Sequence, residues 1–163
     1  MSEDQKTDDE LSEGMATEIP FNISHQYVKD LSFESPAAPD LFIEAHKQSP
    51  DIQIDVQVEA HRLSEKRVEV VLTVEAKATG ESATLFIAEL AYAAIVEVGQ
   101  VSNEHLHAFI MIEVPRLLFP FARSIVADVI SDGGFPPLLI QPVDFVKMYH
   151  ETANNAAKAA QEE

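Results

Sequence analysis

The side chains of this 163-residue chain that could perform chemistry are six histidines and 28 aspartates and glutamates, and there is no cysteine. The two closest histidines, His105 and His107, are two positions apart, a spacing that would send them to different sides of a helix. The sequence contains no H-E-x-x-H zinc motif, no G-x-S-x-G nucleophile motif and no glycine-rich loop that could cradle phosphate. We therefore expect no metal site and no cofactor, and the absence of a catalytic group favours a binding function.

Two titratable residues lie in apolar stretches of the sequence, and apolar surroundings can shift the pKa of such groups. Glu89 follows Phe86-Ile87-Ala88, and a glutamate in such company is either functional or turned to water by the alternation of a strand. His25 lies on the apolar side of a predicted strand, where we expect a hydrogen-bonded histidine in the core or at an interface. Neither residue has a partner at a spacing that would form an acid-base pair.

The charge balance narrows the classes of partner. An excess of 28 acidic over 11 basic residues gives a formal net charge of -17, and such a surface repels phosphate backbones and anionic lipids. It suits a basic partner, or it serves solubility alone. The best candidate for a membrane span, residues 85–98, is too short and contains Glu89 and Glu97, each of which would cost roughly 3 kcal/mol at mid-membrane. We therefore expect neither nucleic acid binding nor membrane insertion.

Period-two alternation of apolar and polar residues predicts four strands, at residues 19–28, 51–59, 67–78 and 83–98. In the second, isoleucines and valines alternate with acids and glutamines, as in an antiparallel sheet with one face in water. Polar turns at residues 61–66 and 79–81 suit hairpins. The fourth segment contains Ala-Glu-Leu-Ala, which would also suit a helix, but the hairpin-sized spacings favour a strand.

The remaining organisation is predicted from charge and proline content. Residues 1–17 are acidic and polar, so we expect a disordered leader. Residues 18–150 have the size of a single domain, and residues 151–163 are expected to form a mobile C-terminal tail. Residues 30–50, punctuated by prolines, are predicted to be a long connection with a role beyond linking. The lack of cysteine suits a reducing, cytoplasmic location.

A short helix is predicted at residues 105–113 and a longer one at 116–131, which Pro120 should kink or begin. The longer helix is apolar around more of its circumference than one sheet can cover. We therefore expect another subunit to pack on the side that carries Leu117, Phe121, Ile125 and Val129.

The glycine pair at residues 133–134 predicts a left-handed stop to the long helix. Prolines 136, 137 and 142 predict an extended link beyond it. A final helix should begin at Val143, with Phe145 and Tyr149 paired at i,i+4 on one side.

Five blocks of the sequence resemble the SecB family of bacterial protein-export chaperones. They are residues 27–36 (YVKDLSFESP), 86–90 (FIAEL), 117–123 (LLFPFAR), 133–138 (GGFPPL) and 141–145 (QPVDF). The blocks follow the order of the family, and the resemblance extends from about residue 21 to residue 149. It implies an α+β fold, with a four-stranded antiparallel Greek-key sheet packed with a long helix and a C-terminal helix. It also implies that two subunits join their sheets and that two such dimers pack through the long helix into a homotetramer.

The resemblance also implies a function without catalysis. Members of the family bind unfolded precursor proteins in the cytoplasm, keep them translocation-competent and deliver them to the motor ATPase SecA. By residue correspondence, Asp30 and Glu34 match acids that contact SecA. Ile87 and Glu89 match a further contact pair on the outer face of the sheet, and Ile87 stands where a leucine is common in the family.

The client site follows partly from physical requirements. An unfolded chain presents apolar side chains in no set order, so its receptor needs exposed apolar surface and tolerant geometry rather than a shaped pocket. A groove between the sheet, the 30–50 connection and the last helix would supply this surface. The candidates are Phe33, Phe42, Ile52, Ile54, Val56, Phe145 and Tyr149. Core packing is the alternative explanation for each of them.

Two other functions remain open from the sequence. One is a chaperone of the same fold that is dedicated to a single client, such as an antitoxin. The other is a small-molecule enzyme on an α+β scaffold, which would require one deep pocket with convergent polar groups.

Overall fold

Seven elements make up the fold in the computed structural model, which describes residues 21–43, 49–99 and 103–160. They are β1 (Phe21–Glu34), α1 (Asp40–Ile43), β2 (Asp51–Ser64), β3 (Arg67–Thr79), β4 (Thr84–Val98), α2 (Asn103–Asp132) and α3 (Phe145–Ala159). The acidic leader predicted for residues 1–17 lies outside the described residues, as do the last three residues of the predicted tail.

The four strands form one antiparallel sheet in the order β1-β4-β3-β2. Strands β2, β3 and β4 follow one another through turns, and β1 pairs with the other edge of β4. The prediction of a strand rather than a helix for β4 is confirmed. β2 runs to Ser64, so the turn predicted at residues 61–66 is reduced to two residues. Alternation places Val70, Leu72 and Val74 of β3 on one face, where all three are fully buried.

β1 is longer than predicted, because two bulges interrupt its alternation. The register shifts lie between Ile23 and His25 and between Val28 and Asp30. A bulge adds one residue to a strand, so the side chains that follow it change faces. His25 is therefore exposed, and its predicted place on the apolar side is wrong. The predicted long connection is also wrong at its start, since residues 30–34 continue the strand.

α2 is one continuous helix of 30 residues, where two helices were predicted on either side of Pro115. Pro115 and Pro120 both lie inside it, and an interior proline costs about 3 kcal/mol because it removes a helical hydrogen bond. Val114, Leu118 and Val126 of the same helix are fully buried. Each buried side chain of this kind contributes about 1.5–3 kcal/mol, so packing on the sheet holds α2 together through both prolines.

The C-terminal end of α2 has the left-handed glycine stop that the sequence predicts. Gly134 has a φ of 92°, a region that glycine adopts without a steric penalty. The backbone N–H of Phe135 donates to the carbonyl of Ile130 at 3.2 Å, and that of Gly134 donates to the carbonyl of Ser131 at 3.0 Å. These two bonds satisfy carbonyls that the end of the helix leaves free.

α3 begins after Asp144, whose carboxylate accepts a hydrogen bond from the backbone N–H of Lys147 at 3.0 Å. This capping bond explains why the helix begins two residues later than the predicted Val143. The helix continues to Ala159, so residues 151–159 of the predicted tail are helical, and their side chains are exposed.

The core lies between α2 and one face of the sheet. Leu72 and Val74 of β3, Leu90 of β4 and Leu118 and Val126 of α2 are buried in one cluster. We call this covered face the helix side. We call the opposite face the open face, because no helix among the described residues packs on it.

Candidate protein-binding surfaces

Four phenylalanine rings meet on the helix side, at the end of the sheet where β1 ends and β4 begins. Phe135, just after α2, is central, with its ring centroid 4.9 Å from Phe86, 5.5 Å from Phe42 and 6.3 Å from Phe33. Phe33 and Phe86 are 6.0 Å apart, so the rings have the spacing of interacting aromatic pairs. Phe86 is buried, whereas Phe42, on α1, is 53% exposed. The cluster is therefore anchored in the core and open to solvent on one side.

Both glycines at the end of α2 make room for these rings. A Cβ atom at Gly133 would lie 2.2 Å from the Cζ atom of Phe33, closer than real carbon atoms approach. At Gly134 a Cβ atom would lie 3.2 Å from the ring of Phe42. The sequence indicated the helix stop at this pair, but the close approach of the two rings depends on the tertiary fold.

The exposed apolar surface continues from the rings onto the edge strand β2. Ile52 lies in the cross-strand row of Phe86, and Ile54 in the row of Phe33, with only alanines between them. Ile52 is 40% exposed and Ile54 is 41% exposed, while Val56 is half-buried. We call the combined surface the apolar strip, and it consists of Phe33, Phe42, Ile52, Ile54 and Phe135.

The two groove residues predicted on the last helix do not belong to this strip. Phe145 is only 2% exposed and packs against Phe119 with ring centroids 6.0 Å apart. Its predicted client contact is therefore wrong for this conformation, because a fully buried side chain cannot touch a client. Tyr149 is half-buried, and its hydroxyl lies 3.3 Å from Nδ1 of His107, so this ring joins α3 to the start of α2.

The four residues predicted to contact SecA lie together on the open face. Glu34 of β1 is directly opposite Ile87 of β4, and Glu89 follows two positions later on the same face of β4. Asp30 pairs with Ala91, the next open-face residue of β4 after Glu89. We call Asp30, Glu34 and Glu89 the acidic patch. The structure thus groups residues that are up to 59 positions apart in the sequence.

Two further acids, which are not among the predicted SecA contacts, extend the acidic patch across the sheet. Glu75 of β3 lies opposite Glu89, and Asp55 of β2 lies opposite Glu75. Asp30, Glu34, Glu75 and Glu89 form no ion pair with any residue that the structure describes. Like charges directly opposite each other destabilise a sheet, so a basic partner would relieve this repulsion. The alternation of β2 and β3 places Asp55 and Glu75 among the polar, outward-facing residues, and this pattern could have identified both acids from the sequence.

Another acid on the open face, Glu69 of β3, differs because hydrogen bonds within the protein neutralise it. The Nζ atom of Lys29 donates to both of its carboxylate oxygens at 2.8 Å, and the hydroxyl of Tyr27 donates to Oε1. Both donors belong to β1 and reach across β4, where Ala93 lies opposite Tyr27 and Ile95 lies opposite Glu69. Glu69 is therefore only 8% exposed although it lies on the open face.

This network shifts the proton affinity of both acidic groups. The hydrogen bond from Lys29, followed by that from Tyr27, holds the pKa of Glu69 below its usual value. The same bond to Glu69, with burial and the negative charge of the carboxylate, raises the pKa of Tyr27 to about 12. At neutral pH, Glu69 is therefore charged and Tyr27 keeps its proton.

A separate apolar stripe runs along the outer side of α2. Leu117 is 46% exposed and Phe121 is 52% exposed, and Ile125 and Val129 are half-buried. Their spacing of four residues places them on one side of the helix. Exposed apolar patches of this kind mark interaction sites.

Neither a metal centre nor a membrane span is found in the part of the chain that the structure describes. No group of three or more metal-ligating side chains there is arranged to hold an ion. None of the described helices is both long and apolar enough to cross a bilayer.

Comparisons with known proteins identify relatives of this chain. The family model of the preprotein translocase subunit SecB matches residues 15–156. The chain is 49% identical over 140 residues to the protein-export protein SecB of Rhodopseudomonas palustris strain BisB5, covering 86% of this chain and 88% of the relative. It is 50% identical over 138 residues to the SecB protein of Afipia carboxidovorans, covering 85% of this chain and 84% of the relative.

A solved structure shows the same fold at much lower sequence identity. It is a SecB-like chaperone from Mycobacterium tuberculosis in complex with a ChAD peptide from an antitoxin. The TM-score is 0.58 and the identity 16%, over 76% of this chain and 90% of the solved one. Because the family model spans nearly the whole sequence and relatives at about half identity cover most of it, this chain belongs to the SecB family.

Proposed function

We propose that this protein is a protein-export chaperone that binds unfolded precursor proteins in the cytoplasm, keeps them translocation-competent and delivers them to SecA. The observation that carries the proposal is the separation of two unlike surfaces on one sheet. The apolar strip lies on the helix side, and the acidic patch lies on the open face. Because the surfaces face opposite ways, a client and a basic partner can be bound at the same time.

The proposed client site is the apolar strip together with Val56. Its residues offer exposed rings and branched aliphatic side chains along an edge strand, which suits clients of varied sequence. Tyr149 remains a proposed neighbour at the α2–α3 contact, and Phe145 is left out because it is buried. Each strip should bind weakly, because a held client loses conformational entropy. Several strips in one assembly compensate through avidity.

The proposed SecA site is the acidic patch with Ile87. Unpaired carboxylates attract a basic surface and raise the rate of encounter, while an apolar residue among them adds contact area. The open-face positions of Asp30, Glu34, Ile87 and Glu89 support this assignment.

The proposed assembly is a homotetramer built as a dimer of dimers. The exposed stripe of Leu117, Phe121, Ile125 and Val129 would be buried when the α2 helices of two dimers pack together. The strand order β1-β4-β3-β2 supports the Greek-key description of each sheet. Val28 and Leu31, 45% and 43% exposed on edge strand β1, support the joining of two sheets.

An export role is favoured over a role dedicated to one antitoxin. The relatives at about half identity are named as protein-export proteins, whereas the solved chaperone with the antitoxin peptide is only 16% identical. A general export chaperone should bind several unrelated unfolded precursors, and a dedicated one should bind a single client.

The experiment that tests this function introduces aspartates on β2, inside the apolar strip in one variant and outside it in the control. Replacing Ile52 and Ile54 by aspartate should weaken the binding of a denatured precursor by at least about ten-fold, because charged groups replace apolar contacts. The control is Leu63→Asp, on the same strand and 53% exposed but outside the apolar strip. Affinity for a fluorescently labelled, urea-unfolded precursor provides the readout. Equal losses in both variants would show that the strip is not the client site.

A further inference from the structure

We infer that Lys29 is a specificity-determining residue, which occupies Glu69 and thereby confines the docking of a basic partner to the acidic patch. The inference deepens the proposed function and rests on the proposal that SecA docks on the open face. The residues involved are Lys29, Tyr27 and Glu69, and none of them belongs to the proposed client or SecA site.

Geometry makes Glu69 part of the same surface as the acidic patch. Lys29 is the residue immediately before Asp30, and its bulge directs the Nζ atom over β4 to Glu69. On the open face of β4, Ala91 and Ala93 lie between Ile95, which pairs with Glu69, and Glu89 of the acidic patch. A partner bound along the acidic patch would therefore meet the Lys29–Glu69 pair next.

Glu69 is the one buried acid among the residues that the structure describes, because Lys29 and Tyr27 cover it. Its side chain is 11% exposed, whereas that of Lys29 is 46% exposed. Without Lys29, the carboxylate would be open on that side and would attract a partner's lysine or arginine as the other unpaired acids of this face do. In the folded protein that position is already taken by Lys29.

The pair therefore sets a boundary on the open face. On one side lie Asp30, Glu34, Glu75 and Glu89, which lack ion pairs with any described residue. At the boundary, the positive charge of Lys29 cancels the negative charge of Glu69, and the hydroxyl of Tyr27 donates a further hydrogen bond to Oε1 of Glu69. A basic partner is attracted to the unpaired acids and gains nothing from moving towards Glu69.

The test is a double-mutant cycle of Lys29→Gln and Glu69→Gln, read as affinity for purified SecA at low ionic strength. Lys29→Gln frees the carboxylate and should tighten binding about two- to five-fold, the range of single exposed charges. Glu69→Gln leaves an unpaired lysine and should weaken binding by a similar factor. The double variant restores the charge balance and should return to the wild-type affinity within about 1.5-fold. Raising the salt concentration should shrink all three differences.

Two outcomes would overturn the inference. If all three variants bind SecA more weakly, the network acts as a structural clamp. If Lys29→Gln has no effect, the partner does not approach Glu69. Lys29→Arg, which keeps the charge, should retain wild-type affinity, and Lys147→Gln on α3 serves as a charge-matched control away from the open face. If the wild-type protein binds unfolded precursors but not SecA, the proposed partner fails, independently of Lys29.

Discussion

Asp30 shares the open face with Tyr27 only because of a bulge. The two residues are three positions apart, and plain strand alternation would place them on opposite faces. The extra residue between Val28 and Asp30 corrects this offset, so the charged end of β1 and the network at Glu69 face the same way. One inserted residue thus determines which side chains a partner meets.

Loss of the acids of β1 should separate the two proposed binding functions. We expect the double variant Asp30→Ala and Glu34→Ala to bind SecA about ten-fold more weakly, a change of ~1.4 kcal/mol, because two unpaired charges of the acidic patch are removed. Binding of an unfolded precursor should be unchanged, since the apolar strip lies on the other face. Glu65→Ala, at the β2–β3 turn, is the control. Parallel loss of both binding activities would contradict the separation of the surfaces.

The network at Glu69 should make stability depend on pH in one direction. Because the pKa of Glu69 is lower in the folded protein than its ordinary 4.5, its contribution is present above that value and is lost as the pH falls through the folded pKa. We expect Glu69→Gln to lower the free energy of unfolding by about 1 kcal/mol at neutral pH, a modest value because Lys29 is half-exposed.

Urea unfolding of Glu69→Gln and wild type, at equal protein concentration and several pH values, measures this effect. The gap between the two proteins should close as the pH falls below the ordinary pKa of a glutamate. A gap of constant size from neutral to acid pH would show that the carboxylate charge does not stabilise the fold.

At the scale of elements, strands with regular alternation could be predicted from the sequence. Bulges and interior prolines could not. β3 and β4 keep a period of two except for one register shift at their shared end, between Ala78 and Thr79, and their predicted bounds agree closely with the structure. β1 has two bulges, so its second half was mistaken for a loop. Pro115 predicts a boundary between helices that the structure does not have, because the sequence does not show that burial on the sheet outweighs its missing hydrogen bond.

The binding surfaces were likewise predictable only in part, because the sequence indicates exposed and apolar residues but does not show which of them pack together. The residues of the acidic patch and Phe33, Phe42, Ile52 and Ile54 were selected in advance, and the structure brings each set together. Phe135 was not selected, because only the fold places it among three rings from β1, α1 and β4. Phe145 was selected wrongly, since its helical spacing suits a core side and a groove side equally well.

The glycine after α2 should be required for the aromatic cluster. In Gly133→Ala the new methyl group would overlap the ring of Phe33, so the ring must move or the helix end must shift. We expect a loss of about 1–3 kcal/mol in unfolding free energy, together with weaker client binding. Gly80→Ala is the matched control, because its methyl group would lie 3.3 Å from the flexible end of Leu85 and 3.5 Å from the carbonyl oxygen of Ala83, an ordinary contact distance. A Gly133→Ala protein as stable as this control would argue against the close packing.

At the scale of the whole molecule, each exposed apolar surface has a different proposed partner. The stripe on α2 is proposed to be covered by another subunit, whereas the apolar strip at the end of the sheet is proposed to stay open for clients. Both surfaces contain residues about half exposed in the single chain, so exposure alone does not distinguish them. Their separate locations do, because burying the α2 stripe leaves the strip accessible.

Breaking the α2 stripe should change the oligomeric state before it changes the fold. Wild-type protein should have a native mass about four times the 18.0 kDa of the chain. Phe121→Asp should reduce this to about half, because a charge replaces an apolar contact between dimers. Phe121→Leu should keep the larger mass. Native mass spectrometry decides the matter, and a wild-type mass equal to one chain would refute the proposed assembly.

The most direct measurement follows the refolding of a precursor protein diluted from denaturant, with the chaperone present at increasing ratios. A surface that holds unfolded chains should slow refolding progressively and should leave the already folded precursor untouched. We therefore predict a refolding rate that falls as the ratio of chaperone to precursor rises. A refolding rate that is the same at every ratio would contradict the claim that this protein exposes apolar surface in order to bind unfolded polypeptides.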